Sequence, residues 1–138
     1  MKTLKFSILS FYIKNIVLSF LGLMLIAGIV ILILDNVPPS PPYTYIGIGS
    51  SILVAIFGAI IIGYCNASSA SKEKGAKPLY LHIVLIILLL ITNTIGGDLS
   101  FLNNLLRELS YFIFLQIGVY LYIKRKAKIS QNFIAENK

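Results

Sequence analysis

The residues of this chain best suited to chemistry are five carboxylates, one histidine and one cysteine, and their spacing assembles no reaction centre. Asp35, Glu73, Asp98, Glu108 and Glu136 are scattered, so no pair divides acid and base work. None falls in the middle of an apolar stretch, where proton-coupled transport or intramembrane hydrolysis would want one. His82 has no carboxylate or thiolate close in sequence to complete a metal site. It is expected in an interfacial belt with tyrosines, with a pH-sensitive gate as the alternative. Cys65 is alone, which excludes an intrachain disulfide and any CxxC redox or thiolate-metal motif. It reads as a small packing residue at a helix end rather than a palmitoylation site. Ser/His/Asp sets, Walker glycines and HExxH are absent. The expectation is therefore a non-enzymatic protein with no cofactor and no metal.

What the residues do build is four apolar stretches, 16–34, 45–64, 79–95 and 105–123. Each is close to the roughly 20 residues a helix needs to cross a bilayer. In lipid such a stretch must satisfy its backbone within its own helix. Hydrophobic residues make up 57% of the chain and charged ones 12%, against about 25% charged in a soluble domain. Four spans in 138 residues leave only short connections. The predicted architecture is one all-α, polytopic four-helix transmembrane bundle over 1–138. The first stretch resembles a signal peptide behind Lys2 and Lys5, but it exceeds the roughly 7–15 residues of an h-region. Asp35-Asn36-Val37-Pro38 also lacks a small-residue cleavage site. It reads as a retained span.

Charge sets the orientation. The formal charge is +7, and its distribution points to membrane topology rather than to nucleic acid. Lys2, Lys5 and Lys14 precede the first span, Lys72, Lys74 and Lys77 lie between the second and third, and Lys124, Arg125, Lys126, Lys128 and Lys138 follow the fourth. Only Arg107 falls on the other side. The positive-inside rule then places both termini in the cytoplasm, for a multi-pass protein of the cell membrane, the bacterial cytoplasmic membrane being the expected home. Tyr43, Tyr45, Tyr64, Tyr80, Tyr120 and Tyr122 mark span ends at headgroup level.

The connections carry further expectations. Residues 1–15 alternate Leu4, Ile8, Phe11 and Tyr12 with lysines and serines, as an interfacial helix leading into span one. Pro38-Pro39-Ser40-Pro41-Pro42 reads as a stiff polyproline-II turn. Residues 66–78 have flexible-linker composition, and Asn66-Ala67-Ser68 is a chance sequon. Asp98 is the expected N-cap of an amphipathic lead-in. There Leu102, Leu105, Leu106 and Leu109 form one face, and Asn103, Asn104, Arg107 and Glu108 form a wet outer one. Adjacent on a helix, Arg107 and Glu108 point about 100° apart and are not expected to pair.

Three features carry the functional expectation. Gly47, Ser51, Ala55, Ala59 and Gly63 recur every four residues in span two, a ridge that admits a neighbouring backbone. The ridge suits either contact with span one or three or an oligomer interface. Gln116 is an intramembrane amide expected to bond another helix. Lys124, Arg125, Lys126 and Lys128 suit anionic lipid, the chain extending as a basic tail over 124–138. The expected partners are the lipid bilayer and another membrane protein or a second copy. Together these suggest a small integral membrane protein acting through helix–helix contacts, as an accessory subunit, assembly factor or immunity-type protein. The alternative is an oligomeric channel or transporter for an ion or small solute.

Overall fold

The computed structural model describes residues 2–97 and 100–136, with side chains described over 7–97 and 100–131. Four helices fill it: α1 (Lys2–Asp35), α2 (Tyr43–Ala70), α3 (Pro78–Gly96) and α4 (Phe101–Glu136). All four are long and apolar enough to cross a membrane, and no strand occurs among the described residues. The chain is an integral multi-pass membrane protein.

Each helix outruns its apolar stretch at one or both ends. α1 is continuous from Lys2, so the helix expected over the first fifteen residues runs without a break into the span. α2 runs six residues past Tyr64, ending at Ala70. The expected linker 66–78 is therefore half helix, and its turn depends on Gly75, whose φ of 90° suits glycine. Pro78 opens α3 at its first turn, where its missing N–H is not needed. The loop before α2 is not extended polyproline II. Pro42 adopts helical angles, and Thr44 Oγ1 donates to the Pro38 carbonyl at 3.2 Å, so the prolines wind into turns that start α2. Asp98, the expected cap of α4, and Leu99 lie outside the described residues. The Ser100 hydroxyl accepts a long bond from the Asn103 N–H at 3.4 Å, capping the helix one residue before it begins.

Around the bundle the helices follow the order α1, α2, α4, α3, so α4 stands between α2 and α3. The buried face of α1 is one ladder of Phe11, Asn15, Ser19, Leu23 and Ile26, spaced by four residues and finally by three along a single helix face. The core joins Leu23 and Ile26 of α1 to Leu85, Ile86 and Leu89 of α3 and Leu115 of α4. A smaller cluster of Phe11, Ala70 and Leu81 closes the end that holds both termini. α2 contributes no large buried aliphatic side chain, only Gly47, Ser51, Ala59, Gly63, Asn66, Ala67 and Ala70.

That small-residue wall is spent inside the chain, chiefly on α4 and next on α1, with little of it on α3. A Cβ on Gly63 would overlap the backbone of Leu115, and one on Gly118 would overlap the backbone of Ile60. The flanking Gly58 instead meets the Ile26 side chain of α1. Without a hydrophobic drive between helices in lipid, this close backbone approach supplies the dispersion contact that holds α2 to α4.

Candidate functional site: two buried polar layers

The first layer lies toward the terminal end and takes one residue from every helix. Ser19 of α1 and Asn66 of α2 bond reciprocally, Ser19 Oγ donating to Asn66 Oδ1 at 3.1 Å and Asn66 Nδ2 donating to Ser19 Oγ at 2.9 Å. Asn66 Nδ2 also lies 3.2 Å from His82 Nε2 on α3. The other ring nitrogen, Nδ1, lies 3.0 Å from Gln116 Nε2 on α4. A neutral imidazole offers one donor and one acceptor. One of the two amides must therefore turn its oxygen to the ring for every group to be satisfied.

His82 is fully buried, which overturns its placement in a headgroup belt. The reason is rotational: the same turn of α3 that holds Leu81 and Leu85 inward carries His82 with them. Asn66 is buried as well; its side chain is committed to the bundle, so the sequon triplet has no free acceptor amide. Gln116 bonds a neighbouring helix, at His82. Ser19 and Asn66 carry no signal in the sequence beyond position. Ser19 follows Asn15 by four on the α1 ladder, and Asn66 sits three beyond Gly63 on the small-residue face.

The second layer lies at the opposite end, between α3 and α4. Asn93 Nδ2 donates to Glu108 Oε1 at 2.8 Å, and Asn104 Nδ2 donates to the Asn93 carbonyl at 3.3 Å. Arg107 Nε reaches the same Glu108 oxygen at 3.1 Å. Glu108 is 1% exposed and Asn104 1% exposed, so neither is wet. Leu102, Leu106 and Leu109 point outward instead, Leu102 being 62% exposed. The amphipathic lead-in is thus turned at Asn104 and Glu108, which face α3, while Asn103 is exposed as expected and Leu105 is half-buried. Arg107 and Glu108 do pair, because the flexible guanidinium bends back along the helix to a carboxylate that α3 holds in place.

Among the described residues Glu108 Oε2 has no hydrogen-bond partner, and neither has the buried Ser51 Oγ of the α2 ridge. A cleft of ≈ 160 Å³ opens beside the pair between α1, α3 and α4, walled by Leu23, Leu89 and Tyr111. No group of three or more His, Cys, Asp or Glu residues that could hold a metal occurs among the described residues.

At the terminal end Arg125 Nη1 donates to the Tyr64 hydroxyl at 2.9 Å. Tyr64 meets Tyr122 edge-on at 5.3 Å, and the Tyr122 hydroxyl lies 2.7 Å from Ser71 Oγ. Of the basic cluster Lys124, Arg125, Lys126 and Lys128, Arg125 is therefore tied to α2, while the three lysines are exposed on a continuing helix.

Neither a family model, nor a curated protein, nor a solved structure matches this chain. Function must be argued from the two layers and the surfaces around them.

Proposed function

We propose that this protein is a non-enzymatic membrane component that works by contact with another membrane protein, its bundle serving as a rigid scaffold. The observation that supports this most is the four-helix layer of Ser19, Asn66, His82 and Gln116. Its polar side chains are turned on one another, one from each helix, which fixes the register of the helices and ties up the groups a reaction or a pathway would use. The small-residue ridge is spent on α4 and α1, so the contact face lies on the outward apolar surfaces, such as Phe57 and Ile61 of α2. In this reading both termini face the cytoplasm, and Lys124, Lys126 and Lys128 rest on anionic headgroups.

Photo-crosslinkers placed at Phe57 and Ile61 in the native membrane test the contact. The expected result is one discrete crosslinked species from these positions and none from Leu25 on α1, together with ion- and solute-tight proteoliposomes. Uniform crosslinking to lipid alone, or solute flux, sinks the reading. One observation favours the second reading, a carrier or channel for a small solute: the unpartnered Glu108 oxygen beside a lateral cleft. Flux that disappears in Glu108→Gln would establish it.

A further inference from the structure

We propose that the cleft between α1 and the α2–α3 turn binds the headgroup of a singly charged, hydroxyl-bearing phospholipid, with its phosphate between Lys14 and Lys72. The cleft measures ≈ 580 Å³, and Ser10, Lys14 and Asn15 of α1 face Ser69, Lys72 and Glu73 across it. Neither lysine makes an ion pair among the described residues. Glu73, the acid in the cleft, has Oε2 accepting a bond from Ser7 Oγ at 3.1 Å. Two ammonium groups against one carboxylate leave a single net positive charge. That balance matches a phosphodiester, and the carboxylate matches a donor hydroxyl further out on the same headgroup. The Ser10 and Ser69 hydroxyls add neutral donors for phosphate oxygens.

The site is held open and in place. The Tyr12 hydroxyl accepts from the Lys77 N–H at 3.0 Å and lies 3.4 Å from the Lys77 carbonyl, pinning the turn to α1. Asn15 is only 7% exposed, so the polar lining reaches one helical turn above Ser19 and the four-helix layer. A second groove of ≈ 270 Å³ shares Ser10 and Lys14 with this cleft and continues along Leu9 and Ile13. Both of these side chains are more than half exposed. A polar chamber joined through shared residues to an apolar groove has the shape of an amphiphile, head and first tail segment together. Lysine serves phosphate as a compact point charge, and juxtamembrane lysines are drawn to anionic lipid. This inference is independent of the partner-contact reading.

The test is retention of lipid by the purified full chain in nanodiscs of phosphatidylcholine doped with phosphatidylglycerol, read by native mass spectrometry. The wild-type chain should keep phosphatidylglycerol over phosphatidylcholine. Lys14→Gln with Lys72→Gln should weaken that retention about tenfold or more, with the helical circular dichroism unchanged. Lys74→Gln, at an exposed lysine of the same turn that does not line the cleft, should leave it intact. Glu73→Gln should shift preference toward phosphatidic acid, which carries more charge and no hydroxyl arm. Equal retention by the Lys14/Lys72 double variant overturns the site, as does an equal loss of retention in Lys74→Gln. Soluble glycerol phosphate separates the sources. If it displaces the lipid at equal concentration, the groove contributes nothing and the lipid assignment falls.

Discussion

Toward its termini the bundle packs four polar side chains into one layer, Ser19, Asn66 and His82 buried and Gln116 half-buried, whereas at its opposite end it buries a carboxylate shared between an arginine and an asparagine. The neutral layer spends its donors and acceptors on neighbours. The charged one leaves Glu108 Oε2 unmatched. The difference is one of stakes. Removing a member of a neutral intramembrane network costs little, since measured polar bonds between membrane helices average about 0.6 kcal/mol. Removing the countercharge of a buried ion exposes the whole desolvation penalty.

The strongest way to break the comparison is Arg107→Ala. It strands Glu108 without its cation and should destabilise the bundle by about 3 kcal/mol, the low end of the range for broken buried pairs, because the Arg107 side chain is 40% exposed. Glu108→Gln removes the charge with its penalty and should cost under about 1 kcal/mol. Adding it to Arg107→Ala should restore most of the loss. Equilibrium unfolding in mixed detergent micelles measures all three, and equal costs for the two single variants would erase the distinction between the layers.

Gly63→Ala sharpens the comparison from the packing side. Its new methyl would collide with the Leu115 backbone, one residue before Gln116, and should cost about 2 kcal/mol, within the usual overpacking range. Ala59→Leu should behave alike, while Ile61→Leu on the outward face should be nearly silent in the same assay. Destabilisation without change in oligomeric state is expected; loss of a dimer with unchanged monomer stability would return the ridge to an intermolecular role.

The smallest effects belong to the neutral layer. Asn66→Ala deprives both Ser19 and His82 and should cost about 1 kcal/mol, and Gln116→Leu about 0.6 kcal/mol. Losses above those of Arg107→Ala would make the neutral layer the keystone of stability.

Sequence alone located the four spans because long apolar runs admit few other structures in lipid. It misplaced His82, Asn66 and Glu108 for a shared reason. Each lies near the end of an apolar run, and proximity to a loop was read as proximity to water. α2 continues past its run and carries Asn66 into the bundle, while His82 and Glu108 lie within their runs and are turned inward by the rotation of α3 and α4. Rotation is the second hidden quantity. A helix in water hides its leucines, whereas in lipid Leu102 and Leu106 do as well outside, leaving Asn104 and Glu108 to face α3. Apolar periodicity cannot distinguish the two orientations, and buried polar residues carry the information instead.

The ring order α1, α2, α4, α3 has a consequence for how the protein is made. α2 and α3 are consecutive in the chain, yet α4, which leaves the ribosome after both, stands between them and supplies Leu115, Gln116 and Gly118 to the seam and the polar layer. Until it arrives, His82 Nδ1 has no Gln116 and the groove beside Gly63 has no occupant. A nascent chain of three helices is an arch without its keystone, and neither the seam nor the polar layer closes before α4 is made.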